Sequence, residues 1–176
     1  MDVFEAIAER SCYRGNFKDV PVPRDVLVQV IDAGIKAPSA CNQQSPSFIA
    51  VDDPVVLNKI AEIVPTSACM TAKAMIVCIS DDRPVYRGTT FYKEDCAAAV
   101  ENMLLALTAL GFSTVWIDGA LRFDQKAERI ALILNIPGNK RVQILLPIGK
   151  PIDLKTKTSR FPFKDRASFN VWGEQN

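Results

Sequence analysis

The chain has 176 residues, of which 48% are hydrophobic and 23% charged, and its net charge is +1. This length and composition predict one globular domain over residues 1–176 with enough apolar material for a sizeable core. The small net charge argues against nucleic acid and anionic membranes as partners. No apolar stretch reaches the roughly 18 residues of a membrane-spanning helix, and the first residues do not resemble a signal peptide. We therefore expect a cytoplasmic protein.

Two features of the composition restrict the chemistry. The five cysteines are odd in number and scattered without a Cys-x-x-Cys pair, which argues against a disulfide framework, a zinc site or an iron–sulfur site. The chain has no histidine, which excludes Ser-His-Asp and Cys-His catalysis and histidine-ligated metals. If the protein is an enzyme, a cofactor is therefore the simplest carrier of its chemistry, and we expect no metal.

Hydrophobic periodicity and turn signals predict helices that alternate with strands. Helices are predicted at residues 3–9, 23 or 24–36, 55–64, 92–110 and 123–134, with a weaker helical turn at 69–73. Strands are predicted at 47–51, 74–79, 112–117 and 141–146, and 168–172 is a candidate edge strand. This order predicts a three-layer α/β/α domain whose central sheet has four or five strands.

Two of these elements are apolar on more than one side. The run 74–79 is continuously apolar, which is typical of a strand buried on both faces of its sheet. The helix 92–110 is apolar on nearly every face, so we expect it in the centre of the domain or at a subunit interface. The basic segment that begins at residue 150 has little periodicity of its own, and we expect it to wrap over another surface.

Three separate segments carry the polar groups of a candidate binding site. They are Arg10-Ser11-Cys12-Tyr13-Arg14, the loop Pro38-Ser39-Ala40-Cys41-Asn42-Gln43-Gln44, and Gly149-Lys150-Pro151 with Arg160 nine residues later. If residues 4–9 are helical, Arg10 and Arg14 can point to the same side where that helix ends. Their planar guanidiniums suit a phosphate or another anionic group. No G-x-G-x-x-G or G-x-x-x-x-G-K spacing is present, so the chain has neither a dinucleotide fingerprint nor a P-loop.

In this order the three segments resemble the nitroreductase family of FMN-dependent oxidoreductases. Leu110-Gly111 at the end of the long helix and Trp116-Ile117-Asp118-Gly119 after a strand add to the resemblance, which covers nearly the whole chain. It implies an α+β fold with a mixed central sheet, and a homodimer in which the C-terminal arm, residues 150–176, extends onto the partner subunit. FMN would be the cofactor, and NADH or NADPH the reductant.

The resemblance also implies roles for the residues on the phosphate side of the cofactor. Arg10 and Arg160 would hold the FMN phosphate. Ser11 and Cys12 would contact the phosphate or the ribityl chain through backbone or side chain. Gly149 belongs to the Gly-x-Pro segment of the same expected cofactor site.

At the ring end, the resemblance implies that Arg14 lies at the N1/O2 edge of the flavin, where a fixed cation favours reduction. Asn42 and Gln44 would bond the ribityl hydroxyls or the pyrimidine edge. Pro38 and Ser39 would come from the partner subunit, since the family binds FMN at a dimer interface. No side chain is expected to act as a catalytic group, because flavin N5 carries the hydride.

The expected activity is ping-pong reduction of a nitroaromatic, a quinone or a similar electron-poor small molecule. Two alternatives remain open at this point. The protein could be a family member with different flavin chemistry, such as dehalogenation or flavin breakdown. It could instead bind flavin without turnover, as a carrier or sensor. A nucleic-acid contact through the basic C-terminal segment is a further reading, against which the small net charge argues.

Overall fold

The computed structural model describes residues 1–153 and 158–174, and it confirms the predicted α+β class. The α-helices are α1 (Val3–Glu9), α2 (Arg24–Ile35), α3 (Pro54–Ile63), α4 (Ser67–Thr71), α5 (Tyr92–Ala109), α6 (Lys126–Ile133) and α7 (Phe163–Arg166). The strands are β1 (Pro46–Val51), β2 (Ala74–Ser80), β3 (Ser113–Thr114) and β4 (Arg141–Gly149). Short 3₁₀ turns occupy Ala40–Asn42 and Gly119–Arg122. No helix in the described part of the chain combines the length and hydropathy needed to cross a bilayer.

The strands form one sheet in the order β1-β2-β4-β3. All ladders between these strands are antiparallel. An isolated parallel bridge joins Cys12, which lies outside the named strands, to Thr114 at the edge of this antiparallel sheet. Beyond Thr114 the predicted strand 112–117 continues only as a bridge between Ile117 and Leu145. The outer edge of β4 from residue 141 to 144 therefore extends past the part that β3 covers.

The predicted edge strand at residues 168–172 is wrong. Asn170 has a left-handed backbone with φ of 52°, and Gly173 follows with φ of 89°. Gly173 N donates to Ser168 Oγ over 2.9 Å, which closes a local turn. Backbone that turns in this way cannot stay extended, although the β-branched and aromatic side chains favour a strand.

Strand β2 explains why the domain has three layers. Met75, Val77 and Ile79 belong to one core, together with side chains of α3, α4 and α6. Ala74 and the alternate residues after it belong to a second core with α2 and α5. Because successive side chains of a strand point to opposite faces, an apolar strand requires helices on both sides of the sheet. The prediction of a fully buried strand is confirmed.

Helix α5 is central to one of these layers. Its residues Val100, Met103 and Leu107 are fully buried, while the next face, with Ala98 and Leu105, is half-buried. Close packing with α2 depends on Gly34, since a Cβ at this position would lie 3.1 Å from Met103 Cγ and 3.4 Å from the Ala99 carbonyl oxygen. The prediction that this helix is buried on several sides is confirmed.

We expect Gly34→Val to lower the free energy of unfolding by about 1–3 kcal/mol, because the added side chain overpacks the contact between α2 and α5. Urea unfolding followed by circular dichroism measures this change. Gly138→Val is the matched control, since a Cβ at Gly138 would meet nothing within 4 Å. Equal stability of the two variants would contradict the close packing at Gly34.

Candidate flavin site

The segment 10–18 is attached to the strands at the far end of β4. Tyr13 N donates to the Thr114 carbonyl oxygen over 2.8 Å, and Lys18 N donates to the Lys150 carbonyl oxygen over 2.8 Å. Tyr13 Oη donates to the Asn16 carbonyl oxygen over 2.7 Å and accepts from Ile152 N over 3.2 Å. Two of the three predicted segments, 10–14 and 149–151, are therefore brought together by tertiary contacts.

The close packing of a neighbouring side chain requires a glycine at position 149. A Cβ at Gly149 would lie 2.6 Å from Phe17 Cγ, so the buried Phe17 ring fits only against a glycine. The ring centroids of Phe17 and Tyr13 lie 5.3 Å apart. Gly149 thus fixes the segment that carries the arginines, whereas its direct contact with a cofactor stays a prediction.

The two arginines of the first segment contact different elements. Helix α1 ends at Glu9, as predicted, but Arg10 has extended backbone angles, so helical spacing does not bring Arg10 and Arg14 to the same side. Arg10 Nε lies 3.5 Å from Glu101 Oε1 on α5, and its side chain is 19% exposed. Arg14 is exposed and lines a cleft on another side of the segment.

This cleft has a volume of about 260 Å³. Its lining consists of Arg14, Thr66, Ala68 and residues 115–120. Thr66, Asp118 and Gly119 are candidate site residues that the sequence prediction missed. The motif Trp116-Ile117-Asp118-Gly119 could have indicated Asp118 and Gly119 as site residues, because it lies next to Arg14 in the structure.

A second and larger cleft of about 810 Å³ adjoins the first, since Trp116 and Asp118 line both. It lies along the outer edge of β4 at residues 141–144. The first turns of α5 form one of its walls, and α6 forms another. Leu132 and Ile136 supply part of its apolar lining. The cleft therefore follows the part of β4 that β3 does not cover.

The loop at residues 38–44 lies on α5. Ala40 N donates to Asp95 Oδ1 over 2.9 Å, and Gln44 N donates to Ser39 Oγ over 2.9 Å. Pro38, Asn42 and Gln44 are exposed. The side chains of Asn42 and Gln44 thus lie at the surface, where a ligand or a second subunit can reach them.

Within one chain this loop and Arg10 are anchored to different faces of α5. Asp95 and Glu101 are six residues apart, which corresponds to about 9 Å along a helix axis and about 120° around it. Arg160 is also exposed, and its Nη1 donates to the carbonyl oxygens of Thr158 and Ser159 over 3.2 and 3.3 Å. A site that joins Arg10, Arg160 and the loop stays a prediction.

Ser11 gives a test of whether a phosphate-bearing cofactor fits this segment. Its Oγ is buried and has no hydrogen-bond partner among the described residues. A buried hydroxyl without a partner costs about 1–3 kcal/mol, and an acceptor oxygen of a phosphate would supply one. Together with the guanidinium of the preceding residue, Arg10, this donor set fits a phosphate group such as that of FMN.

The thiols do not suggest another chemistry. All five cysteines are free, and those at positions 69, 78 and 96 are buried. Burial raises the pKa of the Cys69 thiol. A hydrogen bond with Cys96, together with burial, raises the pKa of Cys78 well above its ordinary value. Because the thiolate is the reactive form, Cys69 and Cys78 are poor nucleophiles. Within residues 1–153 and 158–174 no cluster of acidic residues and cysteines could hold a metal ion.

Known proteins resemble this chain over nearly its whole length. The profile described as Nitroreductase family matches residues 7–68 and 66–150. A protein of Methanothermobacter thermautotrophicus, provisionally named NADH dehydrogenase/NAD(P)H nitroreductase, is 30% identical over 172 residues, which are 98% of this chain and 88% of the relative. A solved nitroreductase family protein from Clostridium novyi has a TM-score of 0.76 at 27% identity, over 99% of this chain and 97% of that chain.

An FMN-dependent nitroreductase from Clostridium difficile has the same fold, with a TM-score of 0.82 at 22% identity over 96% of this chain and 99% of that chain. The antiparallel sheet between two helical layers is thus the fold of FMN-dependent and related oxidoreductases of known structure. The chain belongs to the nitroreductase family, an enzyme family.

Tyr13→Phe tests whether the attachment of the arginine segment to the end of β4 depends on one hydroxyl. Tyr13 Oη also accepts from Asp153 N over 3.4 Å, in addition to its bonds with Asn16 and Ile152. We expect the free energy of unfolding to fall by about 1–3 kcal/mol. Tyr86→Phe is the control, because Tyr86 is exposed. A loss no larger than that of the control in urea unfolding would refute this assignment.

Proposed function

We propose that this protein binds FMN and acts as an NAD(P)H-dependent oxidoreductase on electron-poor small molecules such as nitroaromatics or quinones. The observation that supports this most directly is the cleft in which Arg14 faces residues 115–120. The family and the fold of its FMN-dependent members support the same reading. When bound, FMN supplies hydride acceptance from the nicotinamide and electron transfer to the second substrate.

Each residue has a binding or electrostatic role in this proposal. Arg10 and Arg160 hold the phosphate, with Ser11 and Cys12 as further contacts. Arg14 stabilises negative charge at the N1/O2 edge of the ring from a fixed position. The loop contributes Asn42 and Gln44 to the ribityl chain or the pyrimidine edge. NAD(P)H and the acceptor occupy the same open side of the cleft in turn, which gives ping-pong kinetics.

The proposed active form is a homodimer. Helix α1 has an exposed apolar face that includes Phe4, which is 80% exposed, with Val3 and Ile7 beside it. A further candidate surface is the half-buried side of α5 that carries Leu105. Contiguous exposed apolar patches of this kind mark protein interfaces. A second subunit would bring its Pro38 and Ser39 to the site, since within one chain the loop and Arg10 are anchored to different faces of α5.

The C-terminal arm is proposed to dock on the second subunit, in the cleft of about 810 Å³. Trp172 is 94% exposed, and Phe161 and Val171 are also exposed, so the described part of the arm leaves its aromatic side chains uncovered in its own chain. The cleft offers Leu132 and the outer edge of β4. An unpaired sheet edge with an apolar side chain beside it suits an extended or turn-rich segment with aromatic side chains.

The flavin reaction has a direct optical test. Wild-type protein that is incubated with FMN and separated from unbound FMN by gel filtration should retain absorbance at 350–500 nm, which anaerobic NADH or NADPH should bleach and a nitroaromatic or a quinone should restore. Protein that binds no FMN would overturn the proposal. Flavin that binds but is not bleached would indicate a carrier or sensor, and bleaching without turnover of these acceptors would indicate different flavin chemistry.

Arg14→Gln should slow the bleaching by NAD(P)H about tenfold or more, because a fixed cation is lost where negative charge develops. Binding of FMN should weaken less than the rate falls, since the phosphate contacts remain. Lys18→Ala is the control, because it removes an exposed cation of the same segment. Stopped-flow rates for the two variants that do not differ would exclude this role of Arg14.

Trp172→Asp or Leu132→Asp should weaken dimerisation about tenfold or more and lower the bound FMN, because each introduces a charge into the proposed contact between arm and cleft. Light scattering at several protein concentrations measures the assembly. Met70→Asp is the control, since it places the same charge on an exposed apolar position outside both surfaces. A dimer of unchanged strength in both arm and cleft variants would rule out this docking.

A further inference from the structure

Asp95 is a buried carboxylate near the start of α5 that the proposed flavin contacts do not use. Asp95 is only 4% exposed. Oδ1 accepts from Ala40 N over 2.9 Å, and Oδ2 accepts from Ser45 Oγ over 2.6 Å. Burial of a carboxylate is costly unless hydrogen bonds compensate it, and its position in the first turn of a helix is favourable. One side chain thus connects α5 to both ends of the loop 40–45.

Between these two anchors the backbone is held in a rare conformation. Cys41, Asn42 and Gln44 have φ angles of 49°, 53° and 49°. Left-handed backbone is unfavourable at residues other than glycine, less so at asparagine, and it persists where the surroundings enforce it. The enforcing contacts are the two bonds to Asp95, the bond from Gln44 N to Ser39 Oγ, and a bond from Arg83 Nη2 to the Gln43 carbonyl oxygen over 2.8 Å.

We infer that Asp95 is a positioning residue, which holds the loop 40–45 in the conformation that presents Asn42 and Gln44 to the flavin. That the ligand of this loop is a flavin rests on the proposed function. The carboxylate has two acceptor oxygens, and each is used by one end of the loop, so the loss of this single side chain removes an anchor at each end. Relaxation of the left-handed residues would then redirect both amide side chains.

Three variants and a control separate this role from a general effect on stability. Asp95→Ala removes both acceptors. Asp95→Asn keeps an acceptor for Ala40 N, and its amide can donate to Ser45 Oγ, so the loop geometry is retained. Ser45→Ala removes one anchor and covers the case in which Asp95→Ala does not fold. The control Thr108→Ala removes a buried hydrogen bond to the Leu104 carbonyl oxygen, at the other end of the same helix.

The first measurement is amide hydrogen exchange without FMN. We expect exchange at residues 40–45 to rise at least about tenfold in Asp95→Ala, to rise less in Ser45→Ala, and to stay near the wild-type rate in Asp95→Asn and Thr108→Ala. The second measurement is the Kd for FMN, from flavin fluorescence quenching. It should rise about tenfold or more in Asp95→Ala and less than about threefold in Asp95→Asn and Thr108→Ala.

The outcomes distinguish this inference from the proposed function. If wild-type protein binds FMN and Asp95→Ala binds it as tightly as Thr108→Ala does, the positioning role is refuted. If wild-type protein binds no FMN, the proposed function fails, and hydrogen exchange at residues 40–45 alone decides whether Asp95 holds the loop. Unchanged exchange in both Asp95→Ala and Ser45→Ala overturns the inference whatever the ligand is.

Discussion

Burial of β2 on both faces is the constraint on which the rest of the structure depends. Its alternate side chains enter two separate cores, so helices must cover each side of the sheet. β2 lies between β1 and β4, and the long β4 connects it to the short edge strand β3. This arrangement leaves one end of β4 next to the segment 10–18 and the outer edge of its other end beside the larger cleft.

The candidate site is assembled at the margins of this rigid centre. Backbone hydrogen bonds attach the arginine segment to Thr114 and Lys150, and a glycine at 149 admits the ring of Phe17. The loop that carries Asn42 and Gln44 is attached separately, to α5. The arginine segment is therefore held mainly at β3 and the end of β4, and the loop is held by α5. A change in the packing of α5 would alter both the loop and the contact of Arg10 with Glu101.

Local sequence patterns were sufficient to predict helix ends that depend on residues close together in the chain. Helix α1 begins at a capping box formed by Asp2 and Glu5, and α5 is followed by Gly111 with φ of 73°, as its position after Leu110 indicated. Patterns were insufficient in two places. Residues 168–172 have strand-like side chains, but their backbone forms a local turn closed by the bond from Gly173 N to Ser168 Oγ. The four-residue spacing of Arg10 and Arg14 suggested that both point to the same side where α1 ends. The chain instead extends after Glu9 to pair Cys12 with Thr114, and the two arginines contact different elements.

The sequence by itself determined the α+β class, the order of the elements, the absence of histidine chemistry and the resemblance to one family, because periodicity, caps, composition and motif order are local properties. Only the tertiary structure decided that Gly149 is adjacent to Phe17, that Arg14 opens onto residues 115–120, and that Asp95 holds the loop 40–45. These contacts join residues 50 or more positions apart. No spacing along the chain encodes them, since they arise from how two cores pack against one sheet.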